Sequence, residues 1–230
     1  RQLAMLVAIY ASSHVDRQIV SILAESIKQE LLLSDTQLGF LIGLSFAIFY
    51  ATLGIPIAIL ADRYSRRNII AISVIIWSGM TALCGLAGSY VQLALARIGV
   101  GIGEAGSSPP SHSMISDLYP PEKRATAMGI YAAGINVGVL LGFLVGGWID
   151  EWYGWRMAFF VVGLPGILLG LLMFFTVQEP NRTQAPKPMP KNVFTEVWET
   201  FKIMMAIPSL RHIVIGTTLV VFVGYGALYW

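Results

Sequence analysis

The sequence predicts an all-α protein built into a membrane, and three observations support this fold class. Hydrophobic residues make up 56% of the 230 residues and charged residues only 12%, whereas soluble domains carry about 25% charged residues. The apolar residues form runs of roughly 20, which is the length of helix that crosses a bilayer. Lysine and arginine are concentrated in alternate turns between these runs, a pattern typical of proteins with several membrane spans.

The apolar runs predict six transmembrane helices, each long enough to span with some tilt. They cover residues 3–28, 36–61, 69–88, 91–115, 125–149 and 156–177. Pro186, Pro188 and Pro190 within the polar stretch 179–192 prevent a regular helix and indicate a linker. Residues 193–205 have an apolar face at helical spacing, which predicts an amphipathic interfacial helix. Residues 211–230 begin a seventh span, which we expect the end of the chain to cut.

These elements predict three regions. A six-helix bundle covers residues 1–177, a cytoplasmic linker with the amphipathic helix covers 178–208, and the truncated start of a second bundle covers 209–230. ILADRYSRR (59–67) and WIDEWYGWR (148–156) share an acid, Tyr, small residue and Arg at similar offsets. They close the second and fifth spans on opposite sides of the membrane, as an inverted three-plus-three repeat requires. Six spans followed by a long linker are typical of half of a duplicated transporter.

The distribution of cations predicts the orientation of the bundle. The turns after the second and fourth spans and the linker are rich in lysine and arginine, whereas the alternate turns hold only Lys28 and Arg156. The positive-inside rule therefore places the basic turns and the linker in the cytoplasm. We predict an integral, multi-pass protein of a bacterial inner membrane.

Composition excludes several classes of function. A net charge of +2 is too small to indicate nucleic acid binding, and the single cysteine, Cys84, allows neither an intrachain disulfide nor a thiolate metal site. The sequence contains no nucleophile, base and acid set, no metal cluster and no cofactor motif, so an enzyme or a membrane receptor is the least favoured alternative. We expect no metal, no cofactor and a monomer.

Four charged residues lie inside the apolar spans, namely Asp16, Arg17, Arg97 and Glu104. A charge near the bilayer centre costs at least about 2.5–3.5 kcal/mol, so such residues need a partner or a water-filled cavity and are functional by default. From the rise of about 1.5 Å per residue, Arg17 and Glu104 lie at similar depths and can meet. We predict that Arg17, Arg97 and Glu104 bind an anionic substrate and that Asp16 and Glu104 take up protons. A buried ion pair that only fixes helix packing is the alternative.

Glycines near Glu104 match the dinucleotide-binding pattern G-x-G-x-x-G at residues 101–106. No strand precedes them and no βαβ unit surrounds them, so we reject that function. These glycines allow another helix to approach closely or leave room for a ligand. Glycines at every fourth residue from Gly134 to Gly146 predict a packing stripe on the fifth span.

The turn after the second span combines an acid with a block of cations. Opposite charges on this turn and the next cytoplasmic turn can form a latch that exists in one conformer and breaks in another. Positive-inside topology alone explains the cations but does not require the acids. We therefore predict a cytoplasmic gate, whose residues are Asp62, Arg63, Arg66, Arg67 and Asp117.

The same residues resemble a known family. Two motifs, A-x-x-x-D-R-x-S-R-R at 58–67 and R-x-x-x-G-x-G at 97–103, are similar to the signatures after span two and in span four of the major facilitator superfamily. Asp16-Arg17, LADRYSRR (60–67), RIGVGIGEAG (97–106) and ISDLYPPEKRATAMGIY (115–131) resemble the Spinster-type lipid transporters and their bacterial relatives. The resemblance implies that Asp16, Arg17, Arg97 and Glu104 line a central cavity.

The resemblance also implies a function, namely secondary active transport of an amphipathic anionic lipid by alternating access. A lysophospholipid or a sphingosine-1-phosphate-like lipid is the implied substrate, and protons are the implied coupling ion. A transporter of small organic anions or sugars in the same superfamily is the main alternative. An apolar lining around Arg17 and Glu104 would favour a lipid, and a wholly polar lining would favour a small solute.

Overall fold

The computed structural model describes residues 1–182 and 193–229, and every regular element in them is a helix. The chain divides into two compact units, Arg1–Pro186 and Lys187–Trp230. The elements of the first unit are α1 (Gln2–Ile22), α2 (Ala24–Leu31), α3 (Asp35–Gly39), a π-helical turn (Phe40–Leu44), α4 (Ser45–Ala61), α5 (Arg66–Cys84), α6 (Tyr90–Glu104), α7 (Ser108–Leu118), α8 (Pro121–Tyr153) and α9 (Trp155–Thr176). The second unit holds α10 (Val193–Ala206) and α11 (Pro208–Tyr229).

Two of the predicted spans are interrupted. The first predicted span is divided at Leu23 between α1 and α2. The fourth predicted span, 91–115, is divided at residues 105–107 between α6 and α7. Pro109 and Pro110 occupy the first turn of α7, where a missing N–H has no intrahelical acceptor to lose. The two prolines predict that this span bends or breaks just past Glu104, and the structure shows a break there.

Four helical segments are long and apolar enough to cross a membrane, namely Asp35–Ala61, Arg66–Cys84, Pro121–Tyr153 and Trp155–Thr176. Helix α1 does not meet this criterion, since it carries Asp16, Arg17 and several other polar residues. Helix α6 is only 15 residues long. The two helices that carry Asp16, Arg17, Arg97 and Glu104 therefore fail a test of length and hydropathy.

Close helix contacts hold the first unit together. The most extensive contacts join α5 to α9 and α1 to α8, and α6 packs against both α5 and α4. A Cβ atom added at Gly138 of α8 would lie 2.3 Å from the carbonyl oxygen of Ala11 on α1. Only glycine allows the two backbones to approach so closely, which is the role of small residues in membrane helix packing.

The second unit contains a sharp bend. The segments Val197–Ala206 and Pro208–Gly224 meet at 105° and together form a candidate broken span. If α11 crosses the bilayer along its normal, α10 lies close to the membrane plane. Trp198 and Phe201 of α10 are exposed within this unit, as an interfacial helix requires. The interfacial position of α10 stays a prediction, and most of the proline-bearing stretch before it lies outside the described residues.

Candidate functional site

An ion pair joins α1 to α6 inside the bundle. The Nε atom of Arg17 donates to Oε2 of Glu104 at 2.8 Å. The Glu104 side chain is completely buried, whereas 18% of the Arg17 side chain is exposed. The two residues that similar helical depths predicted to meet are therefore in contact. Arg17 is the partner that an incoming molecule can reach.

Aromatic rings surround the guanidinium of Arg17. Its Cζ atom lies 5.0 Å from the ring centre of Phe46 and 4.7 Å from that of Tyr50, both on α4. A guanidinium within about 6 Å of a ring centre is attracted to the face of that ring. The site thus combines a positive charge with aromatic surface, and the Tyr50 hydroxyl also interacts with the guanidinium.

Arg97 of α6 is almost fully buried near the ion pair. Its Nη1 donates to the backbone carbonyl of Asp16 at 3.4 Å, and its Cζ lies 5.7 Å from the centre of the Phe46 ring. Its Nε atom is buried without a hydrogen-bond partner among the described groups. Arg97 is therefore next to the predicted site but does not pair directly with a carboxylate there.

Asp16 points in a different direction from Arg17. Consecutive residues on an α-helix are about 100° apart, so Arg17 can face α4 and Glu104 while Asp16 faces the interior. The Asp16 side chain is completely buried beside Thr81 and Trp77 of α5. The side chains of both residues lie close enough to donate to the Asp16 carboxylate. The four predicted residues thus lie close together, with Glu104 paired to Arg17 and Arg97 bonded to the backbone of Asp16.

Glycines of α6 position Glu104. A Cβ atom at Gly101 would lie 2.7 Å from the carbonyl oxygen of Phe46, and one at Gly103 would lie 2.6 Å from the backbone nitrogen of Trp77. Real Cβ atoms do not approach other atoms so closely, so glycine at both positions lets α6 pack directly on α4 and α5. The glycines that match a nucleotide-binding pattern act here in helix packing.

A second group of aromatic residues extends from the ion pair along α1. Tyr10 stacks on Tyr131 of α8 with ring centres 4.3 Å apart, and His14 meets the edge of Tyr10 at 4.6 Å. His112 of α7 meets the edge of Tyr131 at 5.3 Å. From the sequence only His14 was considered, as a hydrogen-bonded core histidine rather than a proton relay, and its Nδ1 lies 2.9 Å from the carbonyl oxygen of Tyr10. The available signal was that Tyr10, His14 and Arg17 share one face of α1 at spacings of four and three residues.

A charged cluster lies at the other candidate location, the predicted cytoplasmic end. Arg66 Nη1 donates to Asp117 Oδ2 at 2.6 Å and to Ser113 Oγ at 2.9 Å, and Arg66 Nε donates to Glu179 Oε1 at 2.8 Å. Only 2% of the Arg66 side chain is exposed. One arginine therefore joins the start of α5, the end of α7 and the segment that follows α9.

The other predicted gate residues make different contacts. The Arg67 guanidinium donates to the carbonyl of Val177 at 3.4 Å and lies over the ring of Phe174, while Arg63 donates to the carbonyl of Ile59 at 2.8 Å. The side chain of Asp62 is exposed, and its backbone carbonyl accepts a hydrogen bond from Arg182. Of the five predicted gate residues, Arg66 and Asp117 form the ion pair.

Glu179 belongs to this cluster although sequence analysis assigned it to the linker. Its Oε2 accepts hydrogen bonds from the backbone N–H of Arg67 at 2.8 Å and the Ser65 hydroxyl at 2.9 Å. Partial burial raises the pKa of Glu179, but the hydrogen bonds from Arg67, Arg66 and Ser65 outweigh it and hold that pKa below its ordinary value. The available signal was an acid at the end of the sixth span, on the same side as three arginines.

Comparison with known proteins gives consistent results. A family model described as the Major Facilitator Superfamily matches residues 6–230. An "MFS-type efflux pump" of Mycolicibacterium smegmatis is 34% identical over 213 residues, which are 93% of this chain and 49% of that protein. The "Hexuronate transporter" of Bacillus subtilis is 30% identical over 177 residues, which are 76% of this chain and 42% of that protein.

A crystal structure provides a structural match of similar extent. It is described as a bacterial homologue to the human lysosomal transporter Spinster, in an inward-facing and unoccupied conformation. The match has a TM-score of 0.82 and 40% identity, and it covers 99% of this chain and 53% of that chain. The chain thus spans about half the length of the relatives that it matches. With its long apolar helices, it is part of an integral, multi-pass membrane protein.

Proposed function

This chain belongs to the major facilitator superfamily, and from that premise we propose that the complete protein is a secondary active transporter. Its substrate is an amphipathic anionic lipid, such as a lysophospholipid or a sphingosine-1-phosphate-like molecule, moved by alternating access and coupled to protons. The matched relatives are named as transporters, not enzymes. We place the protein as a monomer in a bacterial inner membrane.

The observation that carries the proposal is the ion pair between Arg17 and Glu104. Glu104 is completely buried and Arg17 is partly exposed, so an anionic headgroup can reach the arginine and compete with the carboxylate for it. A guanidinium holds phosphate or carboxylate oxygens through two parallel hydrogen bonds. Arg17 therefore supplies the recognition of charge in this transport cycle.

Protonation of Glu104 provides the coupling step. A neutral carboxyl group no longer attracts the guanidinium as an ion, so proton uptake by Glu104 frees Arg17 for the substrate. Loss of that proton restores the ion pair and releases the headgroup. A substrate and a proton thus favour the same state of the site, which is the thermodynamic condition for coupling.

The surroundings of Arg17 favour an amphipathic substrate. The rings of Phe46 and Tyr50 lie within 5.0 Å of the guanidinium carbon, so apolar surface adjoins the charge. The 40% identity to a bacterial Spinster homologue over 99% of this chain supports the same class. A lipid with an anionic headgroup satisfies both the charge and the aromatic surface.

A transporter of small organic anions is the alternative. The hexuronate transporter of Bacillus subtilis is 30% identical to this chain, and a carboxylate would bind Arg17 as a phosphate does. Such a substrate would gain little from the rings of Phe46 and Tyr50. Competition between a lysolipid and a hexuronate for the same protein distinguishes the two functions.

Uptake into proteoliposomes that hold the complete protein tests the proposal. A labelled lysophospholipid is expected to enter faster under a pH gradient, and Arg17→Ala is expected to reduce uptake at least about tenfold, since hydrogen bonds to charged groups contribute about 1.5–3 kcal/mol. Lys123→Ala is the control. It removes an exposed cation from the first turn of α8 and should keep full uptake. Uptake of hexuronate but not lysolipid would support the alternative, and uptake of neither by folded protein would contradict both.

A further inference from the structure

Two aromatic rings of α4 lie against the buried arginines. Phe46 and Tyr50 are one turn apart, and their rings stack with centres 5.3 Å apart and planes inclined by 19°. The Arg17 Cζ atom lies 5.0 Å from the centre of the Phe46 ring and 4.7 Å from that of the Tyr50 ring. The Arg97 Cζ atom lies 5.7 Å from the centre of the Phe46 ring. Guanidinium groups from two helices, α1 and α6, therefore converge on one aromatic pair, Phe46 and Tyr50.

The backbone of α4 is closely constrained where it carries this aromatic pair. Phe46 packs so tightly on α6 that a Cβ atom at Gly101 would lie 2.7 Å from the Phe46 carbonyl oxygen. The π-helical turn Phe40–Leu44 ends two residues before Phe46. Because a π turn closes i→i+5 hydrogen bonds, it adds a residue and so changes which face of the following helix meets α6. Such turns are frequent at functional sites.

The ion pair with Glu104 holds Arg17 only while the carboxylate is ionised. The proposed cycle adds a proton to Glu104, and the Arg17 side chain, which is 18% exposed, then loses its counterion while it is still largely buried. A buried charge without a partner is strongly unfavourable. The attraction between a cation and a ring face arises from the quadrupole of the ring, so it does not depend on the proton of Glu104. The aromatic pair thus attracts Arg17 in both states of the carboxyl group.

The other groups around Arg17 do not replace the carboxylate. The titratable groups that interact with the guanidinium are Glu104 of α6 and Tyr50 of α4, and His14 lies near it on α1 itself. Glu104 is the one carboxyl group of these three. Its protonation therefore leaves no counterion beside the Arg17 guanidinium among the described groups, whereas both ring faces stay in place.

We propose that Phe46 and Tyr50 are positioning residues, which hold the Arg17 guanidinium by cation–π contact once Glu104 is protonated. The substrate then meets an arginine that already has its binding geometry, and such preorganisation strengthens binding because less freedom is lost when the complex forms. Phe46 contacts both arginines, so it also holds Arg97 beside the site. This role rests on the transport function proposed above, and it adds to the apolar surface that the two rings offer a lipid.

Fluorination of the Phe46 ring in the complete protein tests the contact without substrate. Each fluorine withdraws electrons from the ring face and weakens its attraction for a cation, but it changes the volume of the side chain very little. Phenylalanines with one, two and three ring fluorines at position 46 should lower the melting temperature in detergent stepwise, by about 2–4 °C over the series. Phe49 of α4 is the matched control. It is also partly buried, and no guanidinium lies over its ring among the described residues, so its series should stay level.

Arg17→Met tests whether the effect of fluorine depends on the cation. It removes one charge from the Phe46 ring and leaves Arg97, so fluorination in this background should lower the melting temperature by a smaller amount. If Arg17→Met does not fold, the comparison of positions 46 and 49 decides. Equal responses at the two positions, or a fall at position 46 that Arg17→Met leaves unchanged, would overturn the proposal.

Binding of a labelled lysophospholipid tests the role in the transport cycle. Glu104→Gln represents the protonated carboxyl group, so in this variant the Kd should rise about threefold to tenfold from the parent Phe46 ring to the trifluorinated one. Tyr50→Phe keeps the ring face and should retain most of the affinity, whereas Tyr50→Leu should bind several-fold more weakly. If the rings only offer apolar surface to the lipid, fluorination leaves the Kd unchanged or lowers it, and the positioning role is overturned.

The two measurements separate this role from the proposed function. If the folded, complete protein binds no lysolipid, the proposed function fails. The melting series still decides whether the rings hold Arg17, because it is recorded without substrate.

Discussion

The two carboxylate oxygens of Glu104 lie in different environments. Oε2 accepts a hydrogen bond from Arg17 at 2.8 Å, whereas Oε1 is buried without a partner among the described groups. A buried charge that is only partly satisfied costs free energy, so a proton on Oε1 would relieve that cost while Oε2 still contacts the arginine. At the scale of the residue, this asymmetry makes Glu104 the best candidate for proton uptake.

Glu104→Gln tests this role in the complete protein. Glutamine keeps the shape of the side chain and an oxygen that can accept from Arg17, but it cannot ionise. We expect lysolipid uptake to lose its dependence on the pH gradient, whereas binding of the lipid persists. Proteoliposome uptake measures the first effect, and competition binding at pH values around neutrality measures the second.

Glu25→Gln is the control for this substitution. Glu25 is an exposed acid on α2 that accepts a hydrogen bond from Gln29, so its loss should leave the pH dependence intact. Gradient-dependent uptake that persists in Glu104→Gln would contradict the role of Glu104 in coupling.

A contact between two residues was predictable from sequence where their positions along two helices determine it. Depth along two helices predicted that Arg17 and Glu104 meet, because regular rise fixes position along a span. Which neighbours Asp16 and Arg17 contact depends on the helices that surround α1, and the sequence does not state these. Glu179 was missed because it follows the last regular turn of α9, where no periodicity determines the course of the chain.

At the scale of the element, the packing of α8 on α1 depends on glycine. A Cβ atom at Gly138 would lie 2.3 Å from the carbonyl oxygen of Ala11 and 2.7 Å from Cβ of His14. Gly138→Ala should therefore force the helices apart and destabilise the bundle by about 1–3 kcal/mol. The expected result is an apparent melting temperature several degrees lower in detergent.

Gly147→Ala is the matched control on the same helix. A Cβ atom at Gly147 would meet nothing within 4 Å, and alanine favours the helix over glycine by about 1 kcal/mol. Its melting temperature should be equal to or above that of the parent protein. Equal effects of the two substitutions would show that helix propensity, not contact with α1, determines the result.

The segment after α9 is anchored by the hydrogen bonds of Glu179. Because these hydrogen bonds lower the pKa of Glu179 in the folded protein, its ionised form adds stability above the ordinary pKa of a glutamate. That stability is lost as the pH falls through the lowered value. The stability advantage of the parent protein over Glu179→Gln should be complete at neutral pH and shrink below about pH 4.3.

Thermal unfolding in detergent as a function of pH measures this advantage. Glu122→Gln, at an exposed position in the first turn of α8, should show no comparable dependence. A constant difference between the parent protein and Glu179→Gln at all pH values would contradict the assigned ionised state.

The positions of the elements were largely predictable from apolar runs, and their interruptions only where proline marks them. Each of the six predicted spans corresponds to helical segments of the first unit. Pro109-Pro110 predicted a bend or break just past Glu104, and the two prolines begin α7 directly after the break. The division at Leu23 depends on local backbone geometry, which a pattern of hydrophobic residues does not contain.

At the scale of the whole molecule, alternating access requires contacts that differ between conformers. In this structure Arg66 binds both Asp117 and Glu179, so it is the centre of the candidate latch, whereas the Arg67 side chain contacts a carbonyl and an aromatic ring. The two arginines therefore predict different effects. Arg66→Ala should remove the cation that Asp117 and Glu179 share and shift the balance between inward-facing and outward-facing states.

Accessibility labelling of single cysteines on the two sides of the complete transporter measures that balance. Arg66→Ala should change the ratio of labelling on the two sides several-fold, Arg67→Ala should change it less, and Lys123→Ala, at an exposed position, should not change it. A shift in Arg66→Ala that is matched by Glu179→Gln would identify the latch as the ion-paired cluster. Equal labelling in Arg66→Ala and the parent protein would mean that the cluster only holds α5, α7 and the end of α9 together, because a contact that is the same in both conformers cannot favour either of them.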